Sequence, residues 1–177
     1  MSTSQATPSA SIEARSDTPD GTCVLTYSAL DTQDIIQSVA DDGAGATAVF
    51  IGTTRNSFKG SVVTQLEYQA YSRLAIKTMA DIVHNAHQAY TRSEHQTPSV
   101  DGQMHAVIRT ALYHRLGTVP VGEPSIVIAV SSPHRKEAFM ACEQILEDVK
   151  RRAQIWKREF YEGQPDEEAE WKANSGH

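Results

Sequence analysis

One segment, residues 131–159, constrains the fold more than any other part of the chain. It reads SSPHRKEAFMACEQILEDVKRRAQIWKRE, and its apolar residues recur every three to four positions, as they do on the buried side of a helix. Ser132 followed by Pro133 predicts the start of that helix, with serine as N-cap and proline at the first helical position. The apolar stripe consists of Ala138, Cys142, Ile145, Val149, Ala153 and Trp156.

The same segment is strongly basic, with seven of the chain's sixteen Lys and Arg residues. His134 and Arg135 fall in the predicted first turn, where free backbone N–H groups and the helix dipole favour an anion. Lys150 and Lys157 are separated by nearly two helical turns and would share one face if the helix continued that far. We therefore expect a cationic pocket for a small phosphorylated ligand. The competing interpretation is a solvated basic face with no ligand.

The rest of the chain alternates strand and helix patterns. Strands are predicted at residues 23–30, 46–54, 62–71, 105–117 and 124–132, and helices at 31–42 and 72–92. Residues 156–161 could be either a last strand or an extension of the basic helix. The second and third of these strands are expected to form a hairpin. The order predicts an α+β fold in which helices pack on a mainly antiparallel sheet, a two-layer sandwich.

At 177 residues the chain is expected to form one domain. Residues 1–21, rich in Ser, Thr, Ala and Pro, are predicted to be a disordered N-terminal tail. Residues 22–161 would form the catalytic domain, with a polar surface loop at 93–103. Residues 162–177 read as an acidic, solvated C-terminal tail.

Charge and composition exclude several classes of partner. A net charge of −6 argues against nucleic acid, because a phosphate backbone needs a broad basic face. No apolar run approaches the ~20 residues of a membrane-spanning helix, and the N-terminus lacks the apolar core of a secretory signal. Cys23 and Cys142 suggest neither a disulfide framework nor a zinc site, so a reducing, cytoplasmic location is expected.

Four motifs, in order, resemble the catalytic (large) subunit of molybdopterin synthase. They are FIGTTRN at residues 50–56, HRLGTVPVGEPSIVIAV at 114–130, SSPHR at 131–135, and a lysine fifteen residues later followed by WKRE at 156–159. The similarity covers roughly residues 23–171; the N-terminal tail and the loop at 93–103 look like peripheral additions. It implies a fold of the α/β hammerhead type.

The resemblance also implies the chemistry. The enzyme would be a sulfurtransferase that moves sulfur from the C-terminal Gly-Gly thiocarboxylate of a small ubiquitin-like partner subunit to cyclic pyranopterin monophosphate, forming the molybdopterin dithiolene. No metal and no cofactor are needed for the sulfur steps. Lys150 would be the principal catalytic residue and Lys157 its assistant. The substrate-contacting residues would be Arg55, His134, Arg135, Lys150, Lys157, Arg158 and Glu159, although Glu159 could also serve only as an ion-pair partner of Arg158.

Helix length bears on assembly. A continuous helix rises about 1.5 Å per residue, so Arg135 and Lys150 would be roughly 22 Å apart. A pterin-sized ligand cannot easily touch both. Either the chain folds back or His134 and Arg135 come from a second copy, as a twofold dimer would allow. The resembled family agrees with the second option, since it has a homodimer at the centre of a heterotetramer.

Two other classes of function remain open. One is a different phosphate-ligand transferase on the same fold, and the other is a non-catalytic scaffold whose basic cluster docks an acidic protein. His84 and His87, three residues apart on a predicted helix, could be read as a metal pair, but without a third ligand they are expected on the helix surface. The chain has no Walker loop, no GxGxxG after a strand and no GxSxG elbow.

Overall fold

The computed structural model describes residues 9–90 and 107–175. The helices of this part of the chain are α1 (Thr32–Gln37), α2 (Ser72–Ala89) and α3 (Arg135–Arg152). Its strands are β1 (Ala14–Thr18), β2 (Gly21–Thr26), β3 (Ala46–Thr53), β4 (Ser57–Phe58), β5 (Ser61–Ala70), β6 (Arg109–Arg115), β7 (Gly117–Pro120), β8 (Pro124–Ser132), β9 (Ile155–Tyr161) and β10 (Lys172–Ala173). A short 3-10 helix, Asp166–Glu168, precedes β10.

The strands divide into two sheets, so the predicted mixed, mainly antiparallel fold is confirmed. The first sheet has the order β1-β2-β6-β8-β3, and only its β2–β6 pair is parallel. The second has the order β10-β9-β5-β4, with β7 also paired to β5. Because β3 pairs with β8 and β5 pairs with β9, the predicted hairpin of β3 and β5 is wrong.

The main core lies where α2 and α3 pack on the first sheet. Alternating residues of β8 separate two apolar layers, because successive side chains of a strand point to opposite faces. Ile128 and Val130 face α2 and α3, whereas Val127 and Ala129 face the short α1. Tyr68 and Ile155 of the second sheet join the main core, so both sheets share it. None of the described helices is both long and apolar enough to cross a bilayer.

Both predicted tails take part in the fold. Residues 14–18 form β1 and pair with β2, so the predicted disorder of residues 1–21 is wrong there; residues 1–8 lie outside the described residues. At the other end, β10 pairs with β9, so residues 162–177 are not simply a solvated tail. The predicted loop at 93–103 also lies outside the described residues.

The basic helix starts later and ends earlier than the sequence predicts. Ser132 still belongs to β8, where it pairs with Ala46, and the N-cap is His134 rather than Ser132. At the other end Ala153 has an extended backbone, with φ −71° and ψ 139°. Trp156 therefore leaves the predicted helical stripe and becomes a half-exposed residue of β9, because pairing with β5 satisfies the backbone there.

Candidate active site

The predicted site residues occupy two opposite ends of the molecule. Helix α3 follows β8 after a short turn and folds back over β8 and β3. Its start is close to the start of β3, because the space beside Gly45 is filled by the carbonyl of Pro133. Its middle lies over the middle of β3, where the thiol of Cys142 meets the Phe50 backbone. The helix therefore ends near the end of β3, and the chain reaches Arg55 two residues beyond that strand.

The continuous helix fixes the distance between the ends. Arg135 and Lys150 lie in one unbroken helix, so their backbones are roughly 22 Å apart. A fold-back of the chain between them is excluded. His134 and Arg135 are exposed at the first end, and Arg55 is exposed at the other. One chain therefore places Arg55 and Lys150 towards the same end of β3, and His134 and Arg135 towards its other end.

Lys150 and Lys157 lie on either side of the junction between α3 and β9. Lys150 is half-buried in the last turn of the helix, while Lys157 is the third residue of the strand. The two lysines do not share a helical face, because the helix ends at Arg152 and residues 156–161 take the strand alternative. What links them is the tight junction, in which the N–H of Tyr71 donates to the Gln154 carbonyl at 3.0 Å.

The strand β9 divides the WKRE motif between two faces of the second sheet. Lys157 is directly opposite Tyr68 of β5, and Glu159 is opposite Leu66, so both face the core side. The ammonium of Lys157 lies 3.6 Å from a carboxylate oxygen of Glu159, and their side chains are 26% and 11% exposed. A half-buried cation with one nearby carboxylate is available to an anionic ligand.

Arg158 points to the other face. Its guanidinium binds Glu67 through Nε at 2.9 Å and Nη2 at 2.7 Å. It also lies over the rings of Phe160 and Trp171, at 4.9 and 4.8 Å from the centroids. The structure thus separates Arg158 from Lys157 and Glu159, and the alternative pairing of Glu159 with Arg158 is replaced by the pairs Lys157–Glu159 and Arg158–Glu67.

Glu159 also accepts a hydrogen bond from the Tyr161 hydroxyl through its second oxygen. Burial, the hydrogen bond to Glu159 and the negative charge of Glu159 together raise the pKa of Tyr161 to about 12. The phenol consequently stays protonated and donates to the carboxylate. Glu159 is held in place from both sides, by Lys157 and by Tyr161.

Two uncharged ring side chains, Tyr68 and His114, pack against each other on the core side of Lys157. The ring of Tyr68 meets His114 edge-on, with centroids 4.8 Å apart. Burial lowers the pKa of His114 to about 4, so the imidazole is neutral at pH 7. Its Nδ1 donates to the Arg115 carbonyl at 2.8 Å, which leaves Nε2 to accept from the Asn174 amide at 3.4 Å.

Sequence reasoning missed Tyr68, His114, Asn174 and Lys172 as neighbours of Lys157. The alternating pattern of β5 marks Tyr68 as buried, but no local signal shows that β9 is its partner. Lys172 is directly opposite Lys157 on the other side of β9. An open cleft of about 100 Å³ next to it is lined by Glu159, Tyr161 and Lys172 among others.

The histidine pair of α2 has a different role from the one expected. His84 binds Asp20 through Nδ1 at 2.8 Å. His87 is buried rather than on the surface, and its Nε2 lies 2.9 Å from the Thr110 hydroxyl. Within residues 9–90 and 107–175, no cluster of three or more His, Cys, Asp or Glu side chains could hold a metal ion.

Comparison with known proteins finds one family throughout. A family model described as MoaE protein matches residues 25–152. The molybdopterin synthase catalytic subunit of Pyricularia oryzae is 43% identical over 150 residues, covering 85% of this chain and 72% of that protein. Three Drosophila proteins of the same name match equally well, but this chain spans only 35–36% of their length.

Solved structures agree with this match. Molybdopterin synthase from Staphylococcus aureus has a TM-score of 0.70 and 29% identity, covering 86% of this chain and 96% of that one. A chain from the complex of subunits 1 and 2 of molybdopterin-converting factor from Helicobacter pylori has a TM-score of 0.61 and 23% identity, covering 80% and 86%. At that identity the second likeness concerns the fold alone.

Proposed function

The chain belongs to the MoaE family, and from that premise we propose that it is the catalytic subunit of a molybdopterin synthase. Its substrate would be cyclic pyranopterin monophosphate. Its sulfur donor would be the C-terminal thiocarboxylate of a small ubiquitin-like partner ending in Gly-Gly. The observation that carries the proposal is the placement of two half-buried lysines, Lys150 and Lys157, on either side of one junction in a chain of this family.

The chemistry explains why cations are needed there. In each transfer a C–S bond to the pterin side chain forms and a C–O bond of that side chain breaks: one oxygen is lost as water, and in the other transfer the cyclic phosphate ester opens. Water hydrolyses the acyl C–S bond of the carrier, which is left as a carboxylate. Sulfur keeps its oxidation level, so the balance requires no oxidant. Lys150 would move protons and stabilise the developing negative charge, and Lys157 would bind the anionic group beside it.

Glu159 is proposed to orient Lys157 rather than to react. Its carboxylate is shared between Lys157 and Tyr161, which fixes the position of the ammonium. Arg55, at the same end of the first sheet, would contact the substrate. Arg158, which faces away from Lys157, would contribute by holding β9 and the C-terminal segment together.

We further propose that the site is completed across a homodimer. His134 and Arg135 are exposed at the far end of α3, roughly 22 Å from Lys150, and would reach the site of a second copy. Two such shared sites, each with one small partner, make a heterotetramer. The Helicobacter pylori protein with this fold forms a complex of two subunits, which supports a small partner here.

A reducing compartment suits both cysteines. Cys23 and Cys142 are free and buried, and burial raises their pKa to about 12 and about 11, so neither is a reactive thiolate. This agrees with the proposed cytoplasmic location.

The test of the proposed function is a reconstitution. The purified chain, a thiocarboxylated partner and cyclic pyranopterin monophosphate are incubated, and dithiolene product is measured by mass spectrometry. Lys150→Ala is expected to lower the rate at least about 100-fold, the usual contribution of a general acid or base. Arg152→Ala, an exposed cation in the same helical turn, is the matched control and is expected to stay within about twofold.

Two results would contradict the proposal. A wild-type chain that makes no product, with partner and pterin proven competent on a known synthase, removes sulfur transfer and favours the scaffold, in which the basic cluster only docks an acidic protein. Product that survives Lys150→Ala unchanged removes Lys150 from the proposed catalytic role, although sulfur transfer by the chain would stand.

A further inference from the structure

The C-terminal strand β10 brings a third lysine, Lys172, next to the candidate site. Lys172 is directly opposite Lys157, so both side chains leave the same face of the second sheet, with Cβ atoms about 5 Å apart. Two residues further on, Asn174 reaches His114 below Lys157 at 3.4 Å. The C-terminal segment thus supplies Lys172 opposite Lys157 and Asn174 against His114.

The two facing lysines, Lys157 and Lys172, have one ion-pair partner between them, Glu159. Like charges directly opposite each other on neighbouring strands destabilise a sheet unless something neutralises them. Glu159 is the carboxylate within 4 Å of Lys157, and its other oxygen is occupied by Tyr161. Among the described residues Lys172 forms no ion pair. Of Lys157, Lys172 and Glu159, one positive charge is therefore not balanced by an ion pair.

Contacts made by the neighbours of Lys172 hold it in this position. Trp171, its neighbour, stacks on the guanidinium of Arg158, which is fixed by Glu67. The N–H of Asn174 donates to the Ile155 carbonyl at 3.1 Å. A strand of two residues is thereby anchored on either side of Lys172.

We infer that Lys172 and Lys157 together bind one oxyanion group of the ligand. That this group belongs to a sulfur-transfer complex rests on the proposed function, whereas the pairing of the two lysines rests on the strand register. The oxyanion could be the phosphate of the pterin or the C-terminal carboxylate of the partner. Glu168 and Glu170 also line the cleft beside Lys172, and all three side chains are exposed, so water screens all of them. The position of the anion therefore rests on the strand register, which puts Lys172 directly opposite Lys157.

A simpler role for Lys172 is protection of a sheet edge, since charged residues on an edge strand prevent pairing with another chain. That role needs no ligand and no particular partner on β9. It predicts that Lys172 can be replaced by any polar residue without effect on anion binding.

The experiment titrates the full chain with two probes, inorganic phosphate and acetyl-glycyl-glycine, and follows amide chemical shifts by NMR. Lys172→Gln is expected to raise the Kd of whichever probe the two lysines bind by about three- to tenfold. This is the range for a partly exposed ion pair or charge-assisted hydrogen bond. Lys77→Gln, an exposed lysine of α2, removes the same charge elsewhere and is expected to leave both Kd values unchanged.

The two probes distinguish the two possible sources of the oxyanion. A higher Kd for phosphate assigns the pair to the pterin, and a higher Kd for the peptide assigns it to the partner's tail. Unchanged Kd values for both probes overturn the inference and leave Lys172 as an edge residue. Because neither probe needs the partner protein, this result stands apart from the reconstitution, whose failure would instead remove the proposed function.

Discussion

At the scale of single residues, His114 makes the fold sensitive to acid. The folded chain keeps this imidazole neutral to a pKa of about 4, against an ordinary value of 6.5. Between those two values the unfolded chain binds a proton that the folded chain does not, so the folded state loses stability as the pH falls through this window. Above this pH window His114 binds no proton in either the folded or the unfolded state, so its effect on stability vanishes.

We therefore expect chemical denaturation at a series of pH values to show a free energy of unfolding that falls from pH 6.5 towards pH 4. A His114→Gln variant should lose most of this slope, even if its stability at pH 7 is lower. His84, which is exposed beside Asp20, provides the comparison, and His84→Gln should keep the slope. An unchanged slope in His114→Gln would assign the acid sensitivity to other groups.

The site residues could be predicted unevenly from the sequence. His134, Arg135 and Lys150 can be proposed from the sequence because they carry charge in an unusual local pattern that also resembles a known family. Tyr68 and His114 were not found, since their role depends on which strands become neighbours. Pairing between β5 and β9 joins distant parts of the chain, and no local pattern records it.

At the scale of elements, β9 and β10 depend on the Arg158 cluster. Arg158→Met keeps the aliphatic stem but removes the ion pair with Glu67 and the stacking on Phe160 and Trp171. Because both charged side chains are largely buried, we expect a loss of about 1–3 kcal/mol in the free energy of unfolding. Guanidinium denaturation measures it.

A matched substitution tests whether the buried environment of Arg158, rather than its charge alone, causes this loss of stability. Arg15 also pairs with a carboxylate, Asp17, but the two side chains are 59% and 56% exposed. Arg15→Met should cost no more than about 0.5 kcal/mol. Equal losses in the two variants would show that the cluster has no special role.

The elements themselves were largely predictable, and their ends were not. The apolar stripe of α3 and the alternation of β5 identify these elements because they reflect local periodicity. The helix nevertheless stops at Arg152, although the apolar pattern continues to Trp156. Pairing of β9 with β5 outweighs the local preference. The same reason explains β1, whose polar sequence ARSDT gains strand structure only from its neighbour β2.

At the scale of the whole molecule, the proposed shared site makes a quantitative prediction. A chain with Arg135→Ala and a chain with Lys150→Ala are each expected to be inactive. In a mixed dimer one site takes Arg135 and Lys150 from different chains and is intact, while the other lacks both.

Random pairing of the two variants makes half of the dimers mixed, and each has one working site of two. Activity should therefore recover to about a quarter of the wild-type value when the variants are unfolded and refolded together. Mixing either variant with itself is the control and should recover nothing. A mixture that stays inactive, with mixed dimers proven by mass spectrometry, would place both residues in the same chain's site.

The parallel pair of β2 and β6 has a consequence for folding kinetics. It joins residue 21 to residue 110, whereas β6, β8 and α3 follow one another closely in the chain. Long-range closure comes late when local contacts are available, so β6, β8 and α3 should form the folding nucleus and β2 should dock onto it afterwards. The entropy of the closing segment grows only with the logarithm of its length, about 0.6 kcal/mol per doubling. A longer connection between α2 and β6 would therefore still allow the same sheet to form.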